Sequence, residues 1–505
     1  MGVNDIFNIG ASGIAAYRLG VEVTSENMTN VNTPGYSRQV TIFETGNTTT
    51  SRGFALGSGV NVAAVQRSYD SLLQRQIVDG NSSYQQALTR QKSMEQVEPL
   101  FNELTTNGIG NAVQKFFGAW QDLSINPSGA PERQSLMARA QILVDAFRRT
   151  NASLQNVRSF ADNSLTGITA DISDKAKNIA SLNQQILVTE RQGVNANELR
   201  DQRDLLVQQL GQKMGISYTE NTDGTVTVRL PTTSAGGGQT LVDHGQYATV
   251  YADNAGGTTL NNIYITAIGT PPPATNPAVD TMVTATIGGP NDPTKAPDNS
   301  LGQIGGVLYV RNTLVPGVLA NVDELAYNLS NQVNTQHAAG FGLNSATGNN
   351  FFTPAAPGPL PAAPAAFANY SANIDINNTL KTNLDAIAAA NVDPAVGGRA
   401  NNKVALAIAG LQSTPVSFTS GSSTLGSYYN ALVSTVGVKK QDAVNVATHG
   451  ESYLRQLNSL RESNSGVSLD EELTNLVKYQ KAFEGSSRLI STATQMMDTI
   501  LGLVR

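Results

Sequence analysis

The side chains of this chain that could do chemistry are few and scattered. Three histidines, His244, His337 and His449, stand far apart, with no second histidine at the spacing that lets two imidazoles share a metal. Each is expected to be a surface residue or a hydrogen-bonded core residue. Gly236-Gly237-Gly238 follows a strand-like run but lacks the Gly-Lys-Ser/Thr that completes a phosphate-cradling loop, so a flexible turn is expected there. The densest charge cluster is Glu198, Arg200, Asp201, Arg203 and Asp204. Carboxylates beside guanidinium groups could serve acid–base chemistry. On a helix, however, these residues fall at i,i+3 and i,i+4 spacing and are expected to pair on solvated faces. Asp375 and Asn377 alternate as calcium ligands do, but the loop glycine and terminal glutamate are missing. Cysteine is absent, which removes disulfides, thiolate metal sites and a cysteine nucleophile. No catalytic, cofactor-binding or metal-binding residue is assigned, and an enzyme is not expected.

Composition points the same way. At 505 residues the chain exceeds a single hydrophobic core, and two to four domains are expected. Its net charge of −6 gives no electrostatic reason to bind nucleic acid. Charged residues make up 14%, against about 25% in typical soluble domains, as suits surfaces that pack against copies or neighbours. The N-terminus has no basic segment followed by a continuous apolar stretch, so export, if it occurs, is expected without a cleaved signal peptide. No apolar run is long enough to predict membrane insertion.

The pattern predicts a mainly α protein with inserted β-rich modules: an elongated multi-domain rod with terminal coiled-coil helices, an antiparallel helical bundle and an outer β domain. Residues 1–68 are expected to hold an N-terminal helix, about Val3 to Val31, and an extended connector. Pro34-Gly35 forms a tight turn, and Val40 and Ile42 share one face of the strand that follows. Residues 69–215 are expected to form the N-terminal part of the bundle. It includes a helix with Leu136, Ala140, Leu143 and Phe147 on one face, and a stripe of Leu165, Ile168, Ile172, Ile179, Leu182 and Ile186. A further helix is expected to start near Asn195, with Asn195 and Glu198 as a capping box. Residues 216–312 read as a β-rich outer module, 313–340 as a helix returning to the bundle, and 341–400 as a linker with a small mixed module. Residues 401–464 complete the bundle, and 465–505 form the C-terminal helix.

The ends carry the strongest signal. Large apolar residues recur every seven positions at Leu469, Leu476, Phe483, Ile490, Met497 and Val504, and again at Phe7, Ile14, Val21 and Met28. A seven-residue repeat keeps an apolar seam on one side of a helix and calls for a partner helix. These ten residues are the candidate assembly interface. Ser468 and Glu471 have capping-box spacing at the start of the last helix. Its second line is mixed, with Tyr479, Ala493 and Ile500 alternating with Glu472 and Ser486, which favours a layer in a larger assembly over a closed dimer. With few salt-bridge pairs, both ends are expected to be largely disordered in the free monomer and to order on assembly.

These residues resemble the axial proteins of the bacterial flagellum, and among them the hook-associated junction family. The motif that carries the likeness is Asn27, Asn30, Asn32, Thr33, Pro34, Gly35 and Tyr36, followed by Ser37, Arg38 and Gln39. Gly59-Val60, the run Val65 to Asp70, and the run Ala196 to Asp204 also match, as do Leu476, Tyr479, Gln480, Ala482 and Phe483 in the last helix. Glu26 and Thr29 depart from the family pattern, which favours asparagine and alanine there. The resemblance implies a structural adaptor at the hook–filament junction of the flagellum, outside the cell, reached through the flagellar type III export route. It further implies a ring of copies, contacts with the hook protein and the next hook-associated junction protein, and a cytosolic export chaperone on the C-terminal helix. A hook or rod subunit is the alternative within the class. A cell-wall-acting enzyme or a secreted adhesin is the alternative outside it.

Overall fold

The computed structural model describes residues 3–51, 54–101, 108–230, 238–254, 260–269, 276–278, 280–283, 302–354 and 367–503. Long helices dominate: α1 (Val3–Thr29), α2 (Ser71–Val97), α3 (Ile109–Ile125), α4 (Ala130–Glu190), α5 (Asn197–Lys213), α6 (Gly302–Tyr309), α7 (Val315–Ala338), α8 (Lys403–Gly410), α9 (Leu425–Ser465) and α10 (Leu469–Leu503). A ribbon joins α1 to the bundle. In it, β1 (Gln39–Thr45) pairs antiparallel with β4 (Val60–Arg67), and the hairpin β2 (Thr48–Ser51) and β3 (Phe54–Gly57) lies between them in sequence.

The two apolar stripes expected between 131 and 186 lie on one continuous helix. Nothing between them breaks α4, whose 61 residues span about 92 Å at 1.5 Å per residue. Leu136, Leu143, Phe147, Leu165, Ile172 and Ile179 are all fully buried along it. Two antiparallel sheets lie against its later turns. One has strands β5 (Ser217–Glu220), β6 (Val226–Arg229), β7 (Thr240–Asp243) and β8 (Gln246–Tyr247), and the other has β9 (Val250–Asp253), β10 (Asn262–Ile265) and β11 (Thr281–Met282). Polar side chains of α4 hold both sheets. Asn183 Nδ2 donates to the carbonyls of Val226 (2.8 Å) and His244 (2.7 Å), and Ser173 Oγ donates to Val250 O (2.7 Å). The sheets therefore share the bundle's core, with Val228, Leu241, Val242 and Ile263 in the same buried cluster as Leu165 and Ile172. The Pro271-Pro272-Pro273 and 291–297 loops and Gly236-Gly237 lie outside the described residues.

The small module closes the other end of the bundle. Strand β12 (Phe352–Thr353) pairs with β13 (Asp375–Ile376), and Phe351 and Phe352 pack on Phe116, while Phe351 also meets Trp120. His337, which we expected to be a surface or hydrogen-bonded core residue, is buried here. Its Nδ1 donates to Asn349 O (2.6 Å) and its Nε2 accepts from the Ala388 N–H (3.0 Å), so the ring is neutral. Burial pushes its pKa down to about 4 from 6.5. The folded state therefore prefers the neutral ring, and the stability this confers is present above the unfolded pKa. As pH falls from about 6.5 towards 4 the stability should drop by up to about 3 kcal/mol. Urea midpoints between pH 7 and pH 4 check this, and His337→Gln should flatten the profile. His244 is exposed beside Asp223 and Asp243, and His449 is exposed on α9.

Val40 and Ile42 share a face of β1, as expected, and that face is the exposed one, while Gln39 and Thr41 point inwards and Gln39 enters a polar cluster. One expectation about the connector is corrected. Asn195 and Glu198 do not cap α5. Ala196 is the capping residue, Asn195 Nδ2 donates to Val65 O (2.9 Å), and Glu198 accepts from Gln39 Nε2 (2.8 Å). The connector strands compete for both side chains and win them.

Candidate assembly interface

Helices α1 and α10 lie antiparallel against each other, and small residues make the close contact. Gly10, Gly13, Ala16, Gly20, Val23, Thr24 and Asn27 are the buried residues of α1. A β-carbon at Gly10 would lie 2.6 Å from Ile490 Cγ1, one at Gly13 2.5 Å from Ser486 Oγ, and one at Gly20 3.1 Å from the Tyr479 ring. Glycine is needed here because the partner helix occupies the space of a side chain. The opposing line on α10 is Glu472, Tyr479, Ser486 and Ala493. Apart from half-buried Tyr479 these are the buried residues of that helix. This is the mixed line of the sequence, and it faces α1 because its small members fit the glycines. Tyr479 continues an aromatic row, with ring centroids 5.7 Å from Phe43 and Phe43 in turn 5.8 Å from Tyr17.

The large apolar residues expected at the interface flank this contact. Phe7, Ile14, Val21 and Met28 are half-buried, rotated about 100° from the glycine line at 100° per residue. Leu476, Phe483, Ile490 and Met497 are half-buried on α10, Leu469 is exposed, and Val504 lies outside the described residues. Leu473, Val477, Leu489, Met496, Ile500 and Leu501 are exposed on the outer face of α10. Within one chain the two ends therefore cover one side of each helix and leave an apolar side open.

The motif residues form a polar bracket at the end of this pair. Thr33 to Tyr36 is a tight turn closed by the Tyr36 N–H to Thr33 O (3.2 Å), and Gly35 has a φ of +85°, which favours glycine. Asn30 steadies it from the helix end, donating to Glu26 O (3.1 Å) and accepting from Thr33 Oγ1 (3.0 Å). The side-chain amide of Asn27 is used on both sides. Its Oδ1 accepts from the Tyr36 hydroxyl and the Gln39 N–H, each at 2.9 Å, and its Nδ2 donates to Gln39 O (2.9 Å) and Glu472 (3.2 Å). Arg38 reaches Glu472 with Nε (2.7 Å) and Glu471 with Nη1 (2.8 Å), while its own N–H donates to Ser465 O (2.9 Å). Helix α10 begins at Leu469, as Ser468 and Glu471 suggested, and Glu471 is engaged by Arg38.

The charge cluster on α5 is the bundle's half of the bracket, which corrects the expectation of solvated pairs. Asp201, Arg203 and Asp204 are buried, and their main partners come from distant segments. The Ser37 N–H donates to Asp201 (2.8 Å), and Arg67 Nη1 bonds Asp201 (2.7 Å) and Asp204 (3.0 Å) while its guanidinium lies over the Tyr69 ring. Arg203 donates to Gly224 O (2.6 Å), and Arg200 joins Glu190 (2.6 Å) and Glu220. Gln39 completes the link, accepting from Asn197 Nδ2 (2.8 Å) and donating to Glu198. Burial raises the Asp201 carboxyl against the pull of Arg67. Partial burial and then the nearby Glu198 charge raise the carboxyl of Glu26, the residue that departs from the family pattern. The Arg200 hydrogen bond depresses Glu190 despite its partial burial.

Among the described residues no group of three or more His, Cys, Asp or Glu could hold a metal, and no helix is long and apolar enough to cross a membrane. Paired terminal helices bracketed to a bundle, with an open apolar side, define a structural protein whose surface is built for assembly. Residues 94–352 match the family model described as the flagellar hook-associated protein FlgK helical domain, and 461–503 match that of the flagellar basal body rod FlgEFG protein C-terminal region. The chain belongs to the flagellar hook-associated protein FlgK family. It is 25% identical to flagellar hook-associated protein 1 of Escherichia coli, over 99% of this chain and 100% of that one. It is also 25% identical to flagellar hook-associated protein 1 of Bacillus subtilis, over 97% and 96% of the two chains. In fold it is similar to the flagellar hook junction protein FlgK of Burkholderia pseudomallei, with a TM-score of 0.63 at 16% identity, covering 77% of this chain and 100% of that one.

Proposed function

We propose that this protein is a structural adaptor at the hook–filament junction of the bacterial flagellum, outside the cell, and that filament attachment depends on it. The observation that carries this is the end-to-end similarity to flagellar hook-associated protein 1 of two distant bacteria. The open apolar side of the α1–α10 pair supports it. Phe7, Ile14, Val21 and Met28 on one helix, with Leu469, Leu476, Phe483, Ile490 and Met497 on the other and Val504 next along the repeat in sequence, would meet neighbouring subunits.

In this reading copies form a ring between the hook protein and the next hook-associated junction protein. Residues 1–68 and 465–505 form the inner layer. Residues 69–215, 313–340 and 401–464 form the surrounding bundle together with helix α6, and the strands of 216–312 and the module of 341–400 lie on its outer side. Before export a cytosolic chaperone would cover the open side of the C-terminal helix. Gold-labelled antibody against the native protein should bind at the distal tip of isolated hooks. Label along the whole hook, or at its base, would overturn the junction assignment in favour of a hook or rod subunit.

A further inference from the structure

Where the turn after α1 meets the bundle lies a cavity of about 370 Å³. Its walls come from that turn, from the starts of α2 and the middle of α5, and from the end of α9. Leu73 and Leu205 give it an apolar floor, and Gly35 closes against Leu205, whose Cβ would lie 3.2 Å from a β-carbon there. Gln74 on α2 is 8% exposed, yet its side-chain amide has no hydrogen-bond partner among the described residues and opens onto this space. Gln208 on α5 lines the same space and is likewise unpartnered. Buried amides are almost always satisfied, so an amide left open in this way calls for a partner from outside the chain.

The charges around the cavity largely cancel. Arg67 and Arg203 hold Asp201 and Asp204, and Asp70 caps α2 through the Leu72 and Leu73 N–H groups. Arg461 stands next to Glu462 at the mouth. A free ion therefore gains little here. A carboxamide presents a donor and an acceptor side by side, the complement of the N–H and C=O of a peptide backbone. Two of them on adjacent helices, above a floor of two leucines, suit an extended peptide that directs one apolar side chain inwards. The cavity also opens where the exposed sides of the terminal helices run out. Val31, just beyond Met28, and Val467, just before Leu469, both line it.

We propose that this cavity takes an extended peptide segment of a second copy of the chain, with Gln74 and Gln208 pairing to its backbone. The seam residues then align the neighbour, and the cavity fixes its register against the bundle. The choice of a second copy rests on the ring of copies proposed above, because the cavity continues the side that neighbouring copies would cover.

The photo-crosslinker p-benzoylphenylalanine in place of Glu462, exposed at the mouth, reports the occupant in cells that carry only this full-length chain. Irradiated flagella should yield a product of twice the chain's mass, and peptide mapping should join position 462 to a segment of the second copy. The same crosslinker in place of Asn32, exposed on the facing turn, should give the same product. Dilute purified monomer should give none. Gln74→Leu combined with Gln208→Leu keeps the volume and removes both amides, and the product should then fall about tenfold. The doubly substituted monomer should melt at the native temperature or above it, because neither amide has a partner to lose. A lower melting temperature would overturn the proposal by giving the amides a role inside the chain. A full yield of product in that variant would also overturn it, as would crosslinks confined to the chain itself or formed with a different protein. Gold label along the hook instead of at its tip would remove the junction reading alone, and the crosslink between copies would stand.

Discussion

A chain carrying Gly13→Val and Gly20→Val will keep its bundle but fail to attach filaments. Gly13 meets Ser486 Oγ and Cβ at 2.5 and 3.2 Å from the position of a β-carbon, and Gly20 meets the Tyr479 ring at 3.1 Å. Ser486 is buried, and Tyr479 is braced by Phe43, so neither can swing aside freely. Overpacking of this kind costs about 1–3 kcal/mol per site, and here two sites lie on one contact. The helices would separate and the motif's Asn27–Glu472 bond would open with them. The bundle should melt as before, because its apolar cluster includes neither helix. Phe483→Asp and Ile490→Asp test the neighbouring face. Each places a charge in the half-buried line expected to meet other subunits, and each should block assembly with the same intact bundle. Thermal melting by circular dichroism and swarming on soft agar give the two readouts. Restored swarming in any of these variants would remove the terminal pair from the interface.

The largest loss of stability is expected at Arg133. Its guanidinium is buried at 1% exposure and donates to three carbonyls: Leu384 (3.0 Å), Ile387 (2.8 Å) and Pro127 (2.7 Å). It pins the small module onto the start of α4. Burial pulls its pKa down to about 10, so it remains charged at neutral pH. Arg133→Met should destabilise by about 3–5 kcal/mol, because three buried acceptors lose their donor at once. A lysine has one ammonium and cannot reach three separated carbonyls, so Arg133→Lys should recover little. Urea unfolding measures the loss. Hydrogen exchange should show it first in residues 341–354 and 367–398. Wild-type stability in Arg133→Met would mean that the Phe351–Trp120 packing alone holds the module.

Local periodicity made the long helices legible. The limits of α1 and α7 follow from the local pattern and from breakers such as Pro34. Contacts between distant segments were not legible in that way. That Val40 and Ile42 share a face of β1 was legible, but which face is buried was not, because it is set by Gln39 bonding Glu198 and Asn197 on α5. Asp201 and Asp204 look solvated until Arg67 arrives from the connector. The signal was present: Asn197, Asp201 and Asp204 recur at helical spacing, so the polar face could have been matched with the polar motif between Asn27 and Gln39. Likewise Glu472 and Ser486 weakened the second line of α10 as a coiled-coil seam. Those positions are where it meets a glycine face and a bracket. Of the large seam residues, Phe7, Ile14, Val21, Met28, Leu476, Phe483, Ile490 and Met497 are half-buried beside that contact, and one chain leaves them partly open.

The measurement that tests the account most directly is deletion of the gene, followed by negative-stain electron microscopy of the cells and assay of flagellin in the medium. The account predicts hooks without filaments, with flagellin lost to the medium and filaments restored by the intact gene. Missing hooks would place the protein in the rod or hook, and normal flagella would contradict an axial role altogether.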